Sequence, residues 1–251
     1  MVKQFSLISI CLTVALVLAE TQAMSTVNHL LHRSSPLSNS FYALRHGQSL
    51  ANVAKIISSD PAISTVEHGL SDVGKEQAKL AGETFASDYL KSASQHYQGV
   101  AIFTSDFRRA RETASLFADE LRKKEIILYN EDVVLETRLR ERFFGELNGG
   151  PDTRYQDVWD IDVKDPNHNE FGVESANSVL ERTTNLINEL DAMLCHSMSD
   201  DNPLMWKCVV VAHGDVLQIL QTGFLKDKDA SRHRSLNHLE TATIRELRLD
   251  G

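Results

Sequence analysis

Residues 41–49 of this chain form an apolar run that ends in a polar segment, and they read Phe41-Tyr42-Ala43-Leu44-Arg45-His46-Gly47-Gln48-Ser49. Such a run is typical of a buried strand that delivers the side chains of Arg45 and His46 to its C-terminal end. Ligands bind at that edge in open α/β sheets. Arginine matches phosphate oxygens with a planar fork, and histidine can act as a nucleophile or carry a proton. The stretch therefore predicts a strand that ends at a ligand site.

The composition favours a globular protein that does not bind polyanions. The chain has 251 residues, 42% hydrophobic and 24% charged, enough for one large α/β domain or two small ones. A net charge of −9 without a long basic run argues against nucleic acid and anionic membrane surfaces as partners. The cysteines Cys11, Cys195 and Cys208 form no CxxC pair, so neither a zinc knuckle nor a disulfide framework is expected. Cys208 is expected in the core.

The N-terminus has the plan of a secretory signal peptide over residues 1–23. A lysine precedes an apolar run at residues 5–19, and small residues at its end suit a cleavage enzyme. The run is short for a membrane span, so none is expected. This interpretation predicts a protein of the secretory pathway or the extracellular space. Translation from Met24 is the alternative, and it predicts a cytoplasmic protein.

A polar linker is predicted at residues 24–39, followed by one domain at residues 40–251 in which apolar runs alternate with amphipathic helical patterns. The predicted strands lie near residues 41–45, 100–103, 126–129, 208–212 and 241–249. Four helices are predicted. The first begins after Ser71-Asp72, the second spans about 107–121, the third begins after Glu174, and the fourth extends from beyond Asp215 to about Gly223. This alternation is typical of a three-layer α/β fold with a mostly parallel sheet and helices on both faces.

Two of these helices have a predicted face. Ser71 is the predicted N-cap of the first helix. The helical period places five residues of this helix near one side, namely Val73, Gln77, Leu80, Ala81 and Thr84. The helix after Glu174-Ser175, a pair that we assign to capping, has a predicted buried stripe formed by Val179, Leu186, Ile187, Leu190 and Leu194.

Two predicted strand ends carry a histidine, His46 and His213, and a glycine follows each of them. Adjacent strand ends would bring both imidazoles into one crevice, where a helix start would point free N–H groups at a bound anion. Another strand end is followed by Arg108 and Arg109, which a helix separates by about 100°, so one of them is expected on a solvated face. Glu141 lies between two arginines. It belongs either to an exposed, charge-balanced loop or, if the crevice holds phosphate, to the chemistry as a proton donor.

Four motifs then occur in one order: Arg-His-Gly-x-Ser from Arg45, Thr-Ser-x-x-x-Arg-Ala from Thr104, Leu-x-Glu-Arg-x-x-Gly from Leu139, and Ala-His-Gly from Ala212. Each motif is weak alone, but the ordered set is highly specific. The chain thereby resembles the histidine phosphatase superfamily, and in particular its phosphoglycerate-mutase-like branch, from Phe41 onward. The resemblance implies that branch's α/β fold and an enzyme that acts on small phosphorylated substrates through a phosphohistidine.

The resemblance also assigns roles to single residues. His46 matches the nucleophile, Glu141 the proton donor, and His213 the second histidine that hydrogen-bonds the transferring phosphoryl group. Phosphate binding falls to Arg45 and Arg109, with Asn52 matching a polar residue that lines the pocket. Two arginines and a second imidazole can stabilise the charge of the equatorial oxygens by position and electrostatics alone. No metal-ligand spacing is apparent in the sequence, so neither a metal nor another cofactor is expected.

Three functions compete at this point. A phosphomonoesterase is favoured over a phosphoglycerate mutase, because the family's mutases carry a long insertion where this chain has only residues 149–173. A catalytically silent relative that binds a phosphorylated ligand is the third. The proton donor is assigned to Glu141 and not to Asp215, because Gly214 separates Asp215 from His213, whereas the acid-phosphatase branch places its aspartate directly after the histidine. Substrate specificity is expected to reside in residues 52–69 and 149–173, and the sequence leaves the oligomeric state open.

Overall fold

This computed structural model describes residues 36–91, 97–195 and 205–250. The predicted signal peptide at residues 1–23, most of the linker at 24–39 and Cys11 lie outside the described residues, so those expectations stay predictions. Within the described ranges, no helix combines the length and the apolar character needed to cross a lipid bilayer.

Five strands form one sheet in the order β3-β2-β4-β1-β5, with bounds β1 Ser40–Arg45, β2 Tyr97–Thr104, β3 Val134–Leu135, β4 Met205–Ala212 and β5 Ile244–Leu247. All neighbours are parallel except β5, which runs antiparallel to β1. The register places Arg45 beside Ala212, and Thr104 beside Val211. The C-terminal ends of β1, β4 and β2 therefore meet at one edge, as the mostly parallel prediction requires.

The helices are α1 Leu50–Ala54, α2 Pro61–Ser64, α3 Asp72–Lys91, α4 Arg108–Arg122, α5 Tyr155–Asp162, α6 Ala176–Cys195 and α7 Gly214–Thr222. α3 and α4 pack with Val209 and Val211 on one face of the sheet, while α6 and α7 pack with Cys208 and Val210 on the other. The three-layer prediction is confirmed. So are the buried stripe of α6 and the core position of Cys208.

The residues predicted to lie near one side of α3 do so, but that side is not the one that packs on the protein. Val73 and Leu80 are 57% and 63% exposed, and the side that packs on α4 carries Gly74, Ala78 and Gly82 instead. A Cβ at Gly82 would lie 2.8 Å from the Phe117 carbonyl oxygen, so the helices approach too closely for larger residues. The predicted cap is confirmed, because Ser71 Oγ accepts a hydrogen bond from the Gly74 amide at 3.0 Å.

The predicted strand at residues 126–129 is wrong. The Val100 amide donates to the Ile127 carbonyl oxygen at 2.9 Å, and Leu128 forms only an isolated bridge to Val100. Asn130 then takes a φ of 53°, which turns the chain away from the sheet until β3 begins at Val134. The last strand lies inside the predicted range 241–249 but is shorter.

A small third apolar cluster lies at the edge of the sheet that carries the strand ends, and it consists of Ile57, Phe144, Leu147, Val158 and Val173. Backbone hydrogen bonds tie the chain after α1 to the chain before α5, from Ile57 N to Gly150 O (2.9 Å) and from Gly149 N to Ile57 O (2.8 Å). This cluster holds together the two segments predicted to set substrate specificity.

Candidate active site

His46 follows β1 directly, and its ring is held in one tautomer. The imidazole is 3% exposed, and Nδ1 lies 2.7 Å from the Gly47 carbonyl oxygen. Because a carbonyl can only accept, Nδ1 carries the proton and Nε2 keeps its lone pair. Arg109 Nε donates to that Nε2 at 3.2 Å. The pKa of His46 lies well below its usual value, through burial first and then through the charges of Arg109 and Arg45. A neutral ring with a free Nε2 lone pair is the state that a nucleophile needs.

Backbone packing fixes the loop that presents His46. A Cβ at Gly47 would lie 2.4 Å from the Gly74 carbonyl oxygen, and one at Gly74 would lie 2.0 Å from the Gln48 carbonyl oxygen. Only glycine permits this contact between the loop and the start of α3. The Gly47 amide donates to Thr113 Oγ1 in α4 at 3.0 Å. The loop is therefore anchored on both helices of that layer.

His213 stands beside His46, as the strand order requires. It follows β4 directly and is the N-cap residue of α7, and its ring centroid lies 5.1 Å from that of His46 at an interplanar angle of 61°. Its Nε2 lies 3.0 Å from Ser105 Oγ, and its buried Nδ1 has no hydrogen-bond partner. Burial, followed by the charge of Arg109, holds the pKa of His213 well below its usual value. The two imidazoles share one crevice, as predicted.

Two arginines that line the same crevice have unused hydrogen-bond donors. Arg109, 3% exposed, donates from Nη2 to the Ser58 carbonyl oxygen at 2.9 Å, while its buried Nη1 has no partner. Arg45 donates from Nη1 to the Leu239 carbonyl oxygen at 2.8 Å, while its buried Nε has none. Unpaired buried donors are costly, so these two groups fit an anion as their partner. Arg108, in contrast, is an exposed partner of Glu112, which separates the two arginines as expected.

The Glu141 carboxyl group is buried in the crevice and not part of an exposed loop. Its Oε1 accepts from the Arg142 amide at 3.0 Å. The pKa of Glu141 is raised from 4.5 to about 7, by burial first and by the charge of Asp215 second, against the opposing charges of Arg109 and Arg45. A carboxyl group with this pKa can give and take a proton near neutral pH.

Asn52 lines the same cleft, but its side-chain oxygen has a local task. Oδ1 accepts from both the amide and the hydroxyl of Ser49, each at 3.0 Å, and so completes a capping box for α1. Five of the six predicted residues thus line one cleft of about 290 Å³, and the sixth, His213, lies directly behind His46. Their chemical roles stay predictions.

Several cleft residues escaped the sequence analysis. Besides five of the predicted residues, the lining includes Ser58, Asp152, Tyr155, Trp159, Arg234 and His238. Tyr155 and Trp159 come from α5, with rings parallel within 8° and 5.5 Å apart. Arg234 comes from the 3-10 turn Ala230–Ser235. No motif marks these segments. Aromatic residues on one face of α5 are a weak signal that could have pointed to the first two.

A buried network of ion pairs and hydrogen bonds lies next to the cleft. Arg142, fully buried, donates to both carboxylate oxygens of Asp162 at 2.7 and 2.8 Å and to Asp215 at 3.3 Å. Asp162 also contacts Nε2 of His168 at 2.9 Å and Nε2 of His233 at 3.2 Å. These contacts tie the end of α5 to α7 and to the residue after Glu141. Among the described residues, no group of three or more His, Cys, Asp or Glu side chains is arranged to hold a metal ion.

Comparison with known proteins now identifies the class. The sequence profile of the histidine phosphatase superfamily (branch 1) matches residues 41–251. The chain belongs to this superfamily, which confirms the resemblance seen in its motifs.

Particular relatives include both phosphatases and mutases. Glucosyl-3-phosphoglycerate phosphatase of Mycolicibacterium vanbaalenii is 29% identical over 193 residues, 72% of either chain. A 2,3-bisphosphoglycerate-dependent phosphoglycerate mutase of a Hydrogenobaculum species is 35% identical over 106 residues, 42% of this chain and 36% of the mutase. Among solved structures, a mycobacterial glucosyl-3-phosphoglycerate phosphatase in complex with VO3 superposes with a TM-score of 0.64 at 25% identity, over 83% of this chain and 90% of that chain.

Proposed function

We propose that this chain is a phosphatase that hydrolyses phosphate monoesters through a phosphohistidine on Nε2 of His46. The observation that carries the proposal is the neutral, tautomer-fixed His46 surrounded by the unpaired donors of Arg45 and Arg109. A phosphate that enters the crevice meets these donors and the nucleophile together. Catalysis of phosphoryl transfer then consists mainly of position and charge stabilisation.

In the first step, the Nε2 lone pair of His46 attacks phosphorus, and the bond between phosphorus and the ester oxygen breaks. Arg109 turns its guanidinium from Nε2 to the equatorial oxygens as the P–N bond forms. The departing oxygen takes its proton from the Glu141 carboxyl group, which is protonated in a large fraction of molecules near pH 7. The imidazole becomes phosphorylated on Nε2, while Nδ1 keeps its proton and continues to donate it to the Gly47 carbonyl oxygen.

In the second step, the ionised Glu141 takes a proton from water, whose oxygen attacks phosphorus. The P–N bond breaks, inorganic phosphate leaves, and His46 recovers its lone pair. His213 hydrogen-bonds the phosphoryl oxygens in both steps. Arg45 and Arg109 hold the group in place throughout, so acid and base are the same carboxyl group at different times.

A phosphatase is favoured over a mutase by two observations. The segment between the glutamate motif and α6 is short, which gives water access to the phosphoenzyme. The phosphatase relative also matches 72% of this chain, whereas the mutase relative matches 42%. A mutase must retain its phosphoenzyme for a second acceptor, so the lifetime of that species in water separates the two activities.

The test is to trap the phosphoenzyme. Wild-type protein mixed with labelled aryl phosphate and quenched within milliseconds should carry one label that acid removes and base does not, the behaviour of a phosphohistidine. His46→Ala should fold, show no label and lose turnover. Glu141→Gln is the matched control, since it should still take up label from an aryl ester, whose leaving group needs little protonation. An acid-stable label, normal turnover in His46→Ala, or no turnover by the wild type would refute the proposal. A silent relative would give the last of these results.

A further inference from the structure

Arg234 brings a third guanidinium to the cleft, and it is held in a fixed orientation. Its Cζ lies 3.7 Å from the ring centroid of Trp159, which is a direct stack on the indole face. Trp159 is itself fixed, because its Nε1 donates to Asp215 Oδ1 at 2.9 Å. Two partners from separate parts of the chain thus hold the arginine and its platform in place before any ligand binds, which lowers the entropy cost of binding.

Most of the hydrogen-bonding capacity of Arg234 is unused. Nη1 donates to Gln218 Oε1. Among the described residues, Arg234 forms no ion pair, whereas the buried Arg142 has two carboxylate partners. Burial lowers the pKa of Arg234, and the charge of Asp215 opposes that change. An arginine remains cationic at neutral pH even so. The cleft therefore contains a half-buried cation without a bound carboxylate.

Hydrogen bonds connect Arg234 to Arg45, one of the two predicted phosphate-binding arginines. His238 Nε2 accepts from Arg45 Nη1 at 2.7 Å, and His238 Nδ1 lies 3.4 Å from the same Gln218 Oε1 that Arg234 contacts. Arg45 and Arg234 are thus separated by only two intervening side chains along this path. They mark two adjacent positions for negative charge in one cleft of about 290 Å³.

We propose that Arg234 binds a second anionic group of the substrate, a carboxylate or a phosphate, while the phosphate that is cleaved lies at His46. The substrate class is then a small phosphate monoester that carries another negative charge a few atoms from the ester oxygen. This inference rests on the proposed phosphatase activity. Asp152 and Asp215 also line the cleft, and their negative charges would disfavour such a ligand if Arg234 were absent. Arg234 therefore determines whether the cleft accepts esters that carry more negative charge than the phosphate alone.

A matched series of three-carbon esters tests the proposal: 3-hydroxypropyl phosphate, 3-(phosphonooxy)propanoate and propane-1,3-diyl bisphosphate. The wild type should have a higher kcat/KM for the two esters with an additional anion, and the better of the two identifies the preferred group. Arg234→Gln should lower kcat/KM for those esters by about 10- to 100-fold, the loss expected for a charged hydrogen bond. The hydroxypropyl ester should change by less than threefold. Arg234→Lys should recover part of the loss.

Arg232→Gln is the control, because it removes the same charge from the same turn at an exposed position. Equal losses for all three esters in Arg234→Gln would overturn the proposal, since Arg234 would then merely support Trp159. The corresponding phosphonates cannot be hydrolysed, so the rise in Tm that they cause measures binding at the anion site without turnover. If the wild type is inactive, the proposed function fails, and the Tm rises then decide the anion site, which fails if Arg234→Gln leaves them unchanged.

Discussion

The Glu141 carboxyl group should make the folded protein less stable as the pH rises. Its pKa is 4.5 in an unperturbed chain and about 7 in the folded protein, where burial and the charge of Asp215 disfavour ionisation. Between these values, the unfolded chain releases the proton and the folded protein retains it. The folded state then binds more protons, so the free energy of unfolding falls as the pH rises through this window.

The size of this effect follows from the two pKa values. At 1.36 kcal/mol for each pKa unit, the penalty reaches about 3 kcal/mol above pH 7 and stays below about 1 kcal/mol at pH 5. Glu141→Gln keeps the size of the side chain, and the amide oxygen can still accept from the Arg142 amide. The variant should therefore gain about 3 kcal/mol over the wild type at pH 8 and much less at pH 5.

Urea unfolding of both proteins at pH 5, 6, 7 and 8 measures this difference. Ionisation of other groups cancels when the variant is compared with the wild type at each pH. Glu83→Gln, at an exposed position of α3, serves as the control and should show a difference that does not change with pH. A constant difference for Glu141→Gln from pH 5 to pH 8, or a variant that is less stable at pH 8, would refute the reasoning. The expected result means that the candidate proton donor is retained at a cost in stability.

Two other predictions concern the acid and the loop. Glu141→Gln should slow single-turnover phosphorylation by an alkyl phosphate by roughly 10²–10⁴-fold and by an aryl phosphate much less. Asp215→Asn should not show that dependence on the leaving group, and if it does, the acid is Asp215. Gly74→Ala should lower both stability and turnover, because its Cβ would lie 2.0 Å from the Gln48 carbonyl oxygen and push the His46 loop outward. Thermal melting followed by circular dichroism and a turnover assay test this prediction, and a normal Tm together with normal turnover would contradict it.

The sequence was sufficient to predict which residues meet at the sheet edge. Apolar runs before His46 and His213 mark strands that are covered on both faces, and parallel strands bring their C-terminal ends together. The stripe on α6 was equally predictable, because its large apolar residues repeat with the helical period. These features depend on local pattern alone, which the sequence displays directly.

Contacts between distant segments were not predictable in this way. On α3, the buried face belongs to Gly74, Ala78 and Gly82, because closeness to α4 matters more there than hydrophobicity. The stack of Arg234 on Trp159 joins residues 75 positions apart, and neither belongs to a motif. The arginines on both sides of Glu141 left an exposed loop open as an alternative, and only the distant Asp162 explains why Arg142 is buried.

The strand order also governs when the site can form during synthesis. β1 carries His46 at its end, yet its two neighbours in the sheet are β4 at residues 205–212 and β5 at residues 244–247. At 5–20 residues per second, the ribosome needs on the order of 10–40 s to reach β5 after it has made β1. During that time β1 has no partner strand, so its apolar side chains depend on chaperones or on collapse with non-native neighbours. Nascent chains should therefore be inactive and prone to aggregation until β5 has been made, and folding dominated by such distant pairings should be slow.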